Sequence, residues 1–169
     1  RDLYHRCDAV LRGADPVVIA LGNAKEAQKN ARKRLFKWSD SEFDAHVAQF
    51  PSVYWTGFDC DSHVRHAELS AKFKKQDVPL LIDFRPDSTR RMTELTILTA
   101  DDPGLFSRIA GAVAAAGANI VGARITTCHD GTVLDVFFLQ DVKNSAIVSQ
   151  FELENLRTIL ESALRGEFR

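Results

Sequence analysis

The sequence contains little of what several classes of protein require. Its three cysteines, Cys7, Cys60 and Cys128, are odd in number and lack the spacing of a zinc site. They indicate reduced thiols in a cytoplasmic protein rather than disulfides in a secreted one. No apolar run approaches the roughly 20 residues of a membrane-spanning helix, and no signal peptide is visible. The 22 basic and 23 acidic residues give a formal charge of −1, so no overall field draws the chain to nucleic acid or to a membrane.

Catalytic motifs are also missing from the sequence. There is no phosphate-binding P-loop, no nucleophile elbow and no pair of carboxylates in a recognisable cleft motif. The aromatic sheet motif of RNA-binding domains is absent as well. His129-Asp130 precedes Gly131, and this order is already explained by a tight turn. Cys60, His63 and His66 recur every three residues, but zinc requires a fourth ligand that the sequence does not offer. We therefore predict no catalytic residue and no metal site.

The residues from Thr93 to Asp141 predict a strand, a helix and two further strands. Apolar and polar residues alternate over 93–99, as in a half-buried strand. In the turn 101–104 that follows, Asp102 is a suitable helix N-cap and Pro103 suits the first helical position. Four apolar residues at spacings of three and four form the predicted buried face of the helix: Phe106, Ile109, Ala110 and Val113. Gly117 is expected to end the helix in a left-handed conformation.

Two strands, 118–128 and 132–140, complete this unit. Val121, Ala123 and Ile125 are expected to face the helices, and Asp130-Gly131 predicts a hairpin between the strands. The last strand is apolar on both faces, which is typical of a central strand. The order of elements predicts a ferredoxin-like α+β sandwich, with an antiparallel sheet and helices on one of its faces.

A further strand, Leu80–Arg85, precedes this unit. The final helix is predicted to begin after Ser149, with Glu152 at the third helical position, to run to about Arg165 and to end at Gly166. Only three residues remain after it, too few for a strand. We therefore predict that residues 80–85 pair antiparallel with 93–99 and fill the fourth position of the sheet, in the permuted order ββαββα.

The first 78 residues are predicted to be mostly helical. One helix from Asn23 has a small apolar face opposite a row of lysines at positions 25, 29, 33 and 37, which we interpret as a solvated face. Ser39 and Glu42 have the spacing of a capping box. Residues 54–58 are interpreted as an aromatic loop, and Asp61 or Ser62 as the cap of another helix. Its buried side is expected to include Val64, Ala67, Leu69, Ala71 and Phe73. We predict a helical connector over 1–78 and a second domain over 79–169.

The pattern D-x-P-G-L-F-S-R-I-A-G-A, followed by a glycine, A-N-I and a D-G hairpin, resembles the ACT domain, a small regulatory module that commonly binds amino acids. The stretch 93–121 is most similar to the first C-terminal ACT repeat of the bifunctional uridylyltransferase/uridylyl-removing enzymes that modify the nitrogen-signalling protein PII. The upstream segments PSVYW and HVRHA extend this resemblance over most of the chain. A sequence beginning at Arg1 also suggests a fragment of something longer. The resemblance implies a non-catalytic sensory part of a cytoplasmic enzyme whose catalytic region uses a divalent metal such as magnesium.

The resemblance and the turn together predict a site for an amino acid, with glutamine as the ligand and no cofactor. Backbone N–H groups at a helix N-terminus favour a carboxylate. Asn119 is expected to lie at the level of the turn and to offer both a donor and an acceptor. The expected binding residues are Asp101, Asp102, Pro103, Gly104, Leu105, Asn119 and Ile120. The sequence departs from the family pattern at Asp102, where many members carry a basic or polar residue.

Two other functions remain open from the sequence. The chain is either the amino-acid-binding ACT module of another metabolic enzyme or a domain that only pairs with another ACT domain. In all three cases an exposed sheet edge predicts association with a second ACT domain.

Overall fold

A computed structural model of the chain describes residues 16–165. These residues form two compact units that divide between Lys72 and Phe73. We retain the boundary between residues 78 and 79 as a proposal, since helix gives way to strand there. The interpretations of Cys7 and Gly166 fall outside the described residues. Within 16–165, no helix has both the length and the apolar character needed to cross a membrane.

The described part of the first unit consists of helices joined by short turns. Its helices are α1 (Pro16–Arg34), α2 (Asp40–Gln49), α3 (Ser52–Gly57) and α4 (Cys60–Gln76), the last of which continues into the second unit. Helix α1 begins at Pro16 rather than at Asn23, because the apolar residues before Asn23 continue the helix. The predicted small apolar face is buried at Ala24 and Ala31, and Leu35, just after the helix, is buried as well. The lysine row is exposed, as expected of a solvated face.

The capping box of α2 is confirmed. The Glu42 N–H donates to Ser39 Oγ at 3.2 Å, and the Ser39 N–H donates to Glu42 Oε2 at 2.7 Å. The aromatic segment 54–58 was wrongly predicted as a loop: most of it lies in α3, where Tyr54 and Trp55 are buried. Its packing against aromatic and histidine rings explains why it is ordered.

Helix α4 begins two or three residues earlier than predicted. Asp59 rather than Asp61 or Ser62 supplies the cap, since its carboxylate accepts the Ser62 N–H at 2.8 Å. The buried side is also rotated from the predicted one and consists of Ser62, His63, His66, Ala67 and Ser70. The two histidines turn inward because they pack on the α3 aromatic rings.

The second unit contains one four-stranded antiparallel sheet. Its strands are β1 (Leu80–Asp87), β2 (Met92–Ala100), β3 (Asn119–Thr127) and β4 (Thr132–Gln140), in the spatial order β1-β2-β4-β3. Strand β1 pairs antiparallel with β2 from Leu80↔Thr99 to Asp87↔Met92. The predicted pairing of residues 80–85 with 93–99 is therefore confirmed, and so is the permuted order ββαββα.

Two helices cover one face of this sheet, α5 (Leu105–Ala115) and α6 (Gln150–Leu164). Their apolar residues form a single core with alternate residues of the strands, including Leu95, Ile97 and Phe137. Central strand β4 is buried on both faces, as its sequence predicted. The predicted cap of α6 is confirmed by the bond from Glu152 N–H to Ser149 Oγ.

One predicted face in this unit is wrong, that of α5. The buried residues of α5 are Leu105, Ile109, Ala112 and Val113, so the stripe is rotated and Phe106 is half exposed. In β3, Ala123 and Ile125 lie opposite Phe137 and Asp135 of β4, as expected of the face toward the helices, but Val121 and Ile125 are about half exposed. Strand β3 lies at the edge of the sheet and has an irregularity between Ile120 and Gly122, and both features reduce its burial.

Candidate ligand-binding site

The loop 101–104 lies where β2 ends, beside the hairpin that joins β3 to β4. Ala100 pairs with Thr132, and the Asp101 N–H donates to the Gly131 carbonyl at 3.0 Å. The four loop residues are exposed. Asp130 Oδ1 accepts from both the N–H and the hydroxyl of Thr132. The assignment of His129-Asp130 to a turn is therefore confirmed, and this turn anchors the candidate ligand loop.

Helix α5 begins two residues later than predicted. Gly104, not Asp102, is the N-cap residue, and its φ of 81° explains why glycine is needed there. Asp102 contributes through its backbone carbonyl, which accepts the Leu105 N–H at 3.0 Å. No side chain caps the helix. The N–H groups of the first turn, at Phe106 and Ser107, have no carbonyl one turn earlier in the helix to bond. They are the natural donors to an anion at this position.

The negative charge of Asp102 has a partner in helix α5. Its carboxylate forms an ion pair with Arg108, and both side chains remain partly exposed. This pair offsets the repulsion that Asp102 would otherwise exert on a carboxylate bound at the helix start. The departure from the family pattern at Asp102 is thus compensated by a basic residue on the same helix.

Asn119 and Ile120 lie at the other end of the sheet, and the prediction that Asn119 shares the level of the turn is wrong. Asn119 pairs with Gln140, whereas the loop follows the pair Ala100↔Thr132. The strand from Thr132 to Gln140 separates the two ends by roughly 27 Å, at about 3.4 Å per residue. The reason is topological: α5 carries the chain back along the sheet before β3 begins. The loop and Asn119 of one copy therefore do not contact the same small molecule.

Sequence reasoning overlooked Asp135, a carboxyl group in the middle of β4. Only 2% of Asp135 is exposed. It lies opposite Ile97 of β2 and Ile125 of β3. Its Oδ1 accepts the Thr126 N–H at 3.3 Å. Burial raises the pKa of Asp135 to about 6, although this hydrogen bond acts in the opposite direction. A single acidic residue within the apolar run Val133–Leu139 was the available signal.

An apolar surface surrounds the outer edge of the sheet. Phe106, Val121 and Ile125 are each exposed by about half. The Phe106 ring packs on Phe137, with 5.7 Å between centroids, and so extends the core to the surface. Since β3 is the last strand in the order, its outer backbone edge is not paired within the sheet. The surface and the edge together suit association with another protein chain.

The histidines and the cysteine considered as zinc ligands lie in the first unit. His63 and His66 are buried beside Tyr54, and the Tyr54 hydroxyl lies 3.1 Å from His66 Nδ1. Burial, with smaller effects of His63 and Arg65, lowers the pKa of His66 to about 3. No group of three or more His, Cys, Asp or Glu side chains within residues 16–165 is arranged to hold a metal ion.

Comparison with known proteins identifies two levels of similarity. Residues 93–150 match the family model described as ACT domain. Over its whole length the chain is 38% identical to a bifunctional uridylyltransferase/uridylyl-removing enzyme of Azospirillum brasilense and 40% identical to one of Nitrobacter hamburgensis. A third, from Gluconobacter oxydans, is 38% identical over 98% of the chain. The chain spans 18% of the length of each of these relatives.

Proposed function

Since this chain contains an ACT domain and is related over its whole length to the bifunctional uridylyltransferase/uridylyl-removing enzymes, we propose that it is the glutamine-sensing part of such an enzyme. The observation that carries the proposal is the extent of the similarity, which includes the helical unit as well as residues 93–150. An ACT domain of a different metabolic enzyme would have no reason to share the helical unit. The site contributes no catalytic residue in this proposal. The uridylyl chemistry, and the divalent metal that it needs, belong to the rest of the enzyme.

The ligand site in this proposal is formed between two ACT domains. Within one copy the loop 101–104 and Asn119 are at opposite ends of the sheet. A two-fold axis that placed two β3 edges side by side in opposite directions would bring the loop of one copy to Asn119 of the other. The partner is a second copy of this chain or another ACT domain of the same enzyme. The half-exposed Val121 and Ile125 support an interface along this edge.

Glutamine would then be held at both ends. Its α-carboxylate would lie at the start of α5, against the backbone of Asp101–Leu105, where N–H groups and the helix dipole favour an anion. The positive φ of Gly104 shapes this backbone, and the absence of a side chain allows the ligand to approach it closely. Asn119 and the Ile120 backbone of the opposite domain would contact the amide end of glutamine. Such an arrangement makes ligand binding and domain pairing depend on each other.

The proposed consequence is a switch in a cytoplasmic nitrogen-regulation system. Glutamine would shift the enzyme from adding uridylyl groups to PII to removing them. A ligand shifts such an equilibrium only if it binds one state more tightly than the other. Pairing of ACT domains around glutamine would supply this difference in affinity.

Two substitutions test the site in the full-length enzyme. Asn119→Ala removes a donor and an acceptor on an exposed residue, and we expect a roughly tenfold weaker glutamine response, as for one lost hydrogen bond in a buried contact. Gly104→Val adds a branched side chain at a φ of 81° and should abolish the response. Asn155→Ala, on the exposed side of α6, is the matched control. Uridylylation of PII without glutamine should be unchanged in each variant, and circular dichroism must show that Gly104→Val is folded.

Only the apolar surface at the sheet edge favours the alternative, a domain that pairs with another ACT domain and binds no amino acid. Calorimetric titration of the chain with the common amino acids separates it from the proposed function, and sedimentation reports the pairing. Heat of binding with glutamine and none with other amino acids supports the sensor. Association without binding of any amino acid would instead identify the chain as a domain that only pairs. A glutamine response that both folded variants retain would move the sensor away from this ACT domain.

A further inference from the structure

Helix α4 ends at the same end of the sheet as the candidate ligand loop 101–104. Strand β1 starts at Leu80, which pairs with Thr99 near the end of β2. The loop begins two residues after Thr99. From Gln76, the last residue of α4, to Leu80 the chain reaches at most about 14 Å. The last turn of α4 therefore lies near the strand end from which the loop departs.

A turn and a hydrogen bond fix this end of the helix. Asp77 has a φ of 48°, the left-handed conformation that commonly follows the last residue of a helix. The Thr99 hydroxyl donates to the Pro79 carbonyl at 2.9 Å. The residues after α4 are thereby tied to the strand that leads into the ligand loop. Residues 73–79 and the loop all belong to the second unit.

The β3–β4 hairpin connects the ligand loop to the last turn of α4. On one side, the Gly131 carbonyl accepts the Asp101 N–H. On the other, Lys74 in the last turn of α4 lies near enough to Asp130 for its charge to act on that carboxylate. Partial burial raises the pKa of Asp130, but hydrogen bonds from Thr132 and the charge of Lys74 outweigh this effect and lower it overall. The interactions thus run from the loop through the hairpin to the helix.

The charge at this end of the sheet changes when a ligand carboxylate binds. Asp101, Asp102 and Asp130 already place three carboxylates in the loop and the hairpin, and Arg108 pairs with Asp102. The carboxylate of a bound amino acid would add a further negative charge at the start of α5. This charge would attract the Lys74 ammonium group more strongly and hold the last turn of α4 in place. By linkage, holding the helix end in place raises the affinity for the ligand by the same factor.

We propose that Lys74 and Asp130 couple the ligand loop to the end of helix α4, so that an amino acid bound at the loop stabilises the last turn of the helix. The inference rests on the proposed function for its ligand and adds the regulation of that site. Helix α4 begins at Cys60 in the helical unit. A change in its last turn therefore has a continuous helix along which to leave the ACT domain.

Hydrogen exchange of the amides of residues 73–76 tests the coupling on the whole chain, first without ligand. Lys74→Gln removes the ammonium group, and Asp130→Asn removes the carboxylate but keeps an oxygen for Thr132. Each should speed this exchange roughly two- to fivefold, as for loss of an exposed ion pair, and the double variant should show no further increase. Lys74→Gln should also shift the NMR signals of the Asp101 and Gly104 amides.

Lys75→Gln is the matched control, since it removes the same charge from an exposed position of the same turn. It should leave both the exchange rates and the loop signals unchanged. If Lys74→Gln behaves as Lys75→Gln does, or if the effects of the Lys74 and Asp130 substitutions add, the coupling is refuted whatever the response to glutamine.

Addition of glutamine separates this inference from the proposed function. In the parent chain, saturating glutamine should slow exchange at residues 73–76 by a further two- to fivefold. Lys74→Gln should lose this protection and bind glutamine two- to fivefold more weakly by calorimetry, whereas Lys75→Gln should match the parent. Equal glutamine affinity in Lys74→Gln and the parent would overturn the inference and leave the sensor. No binding of glutamine to the parent, with the ligand-free effects of Lys74→Gln present, would refute glutamine sensing while the coupling of loop and helix stood.

Discussion

Replacement of Asp135 by asparagine should make the ACT domain more stable at neutral pH. In the folded chain burial raises the pKa of this carboxyl group to about 6, whereas an unfolded aspartate has a pKa of about 3.9. A difference of about two between these values corresponds to about 3 kcal/mol. Because the folded pKa is the higher one, the protonated group favours folding below about pH 4, and this advantage is lost as the pH rises through 6.

Asparagine carries no charge at any pH and retains an oxygen that can accept the Thr126 N–H. The Asp135→Asn chain and the parent should therefore have similar free energies of unfolding near pH 4. Near pH 7.5 the variant should be more stable by about 3 kcal/mol. Asp44→Asn, at an exposed position of α2, is the control and should leave the pH dependence of the ACT domain unchanged.

The assay must report on the ACT domain itself. Residues 73–169 contain neither tryptophan nor tyrosine, so intrinsic fluorescence follows only the helical unit. Urea titrations at several pH values should instead be followed through the amide signals of β4 by NMR. If parent and Asp135→Asn chains show the same pH dependence between pH 4 and 7.5, Asp135 is not held in a desolvated environment and the reasoning fails.

Two further stability effects follow from single contacts. Ser39→Ala breaks the capping box with Glu42 and should lower the free energy of unfolding of the helical unit by about 1 kcal/mol, measured by urea titration with tryptophan fluorescence. Ser41→Ala, at an exposed position, is the control. Equal losses of stability in the two variants would argue against a capping effect. Thr93→Val removes a hydroxyl that both donates to the Ile147 carbonyl and accepts its N–H, at 2.9 Å each. It should cost about 2 kcal/mol in the NMR assay, and no loss relative to the exposed Thr89→Val would contradict this.

Patterns that depend on neighbouring residues were the most readily predicted from the sequence. The capping box at Ser39, the left-handed Gly117 and the hairpin at Gly131 each need only a few adjacent positions. The β1–β2 pairing was predicted because the residues after Gly166 are too few to form a strand, which left the fourth position of the sheet to residues 80–85. Local chemistry and chain length were sufficient in these cases.

Arrangements that depend on the whole sheet were not predicted correctly. The stripe of α5 is rotated because Leu105 turns into the core and leaves Phe106 at the edge. Asn119 lies far from the loop because the helix between them runs the length of the sheet. His63 and His66 are buried because an adjacent aromatic helix receives them. None of these outcomes is encoded in the spacing of the residues concerned.

The position of β1 at the start of the unit also affects how the sheet is assembled. A fourth strand placed after α6 would have to find β2 across some seventy residues of chain, whereas β1 reaches β2 through a short turn. Pairing of near neighbours lowers the relative contact order, and domains of lower contact order fold faster. During synthesis all four strands have been made once Gln140 has been added. Of the elements of this unit, helix α6 is made last, and its apolar face then covers a sheet whose strands are already complete.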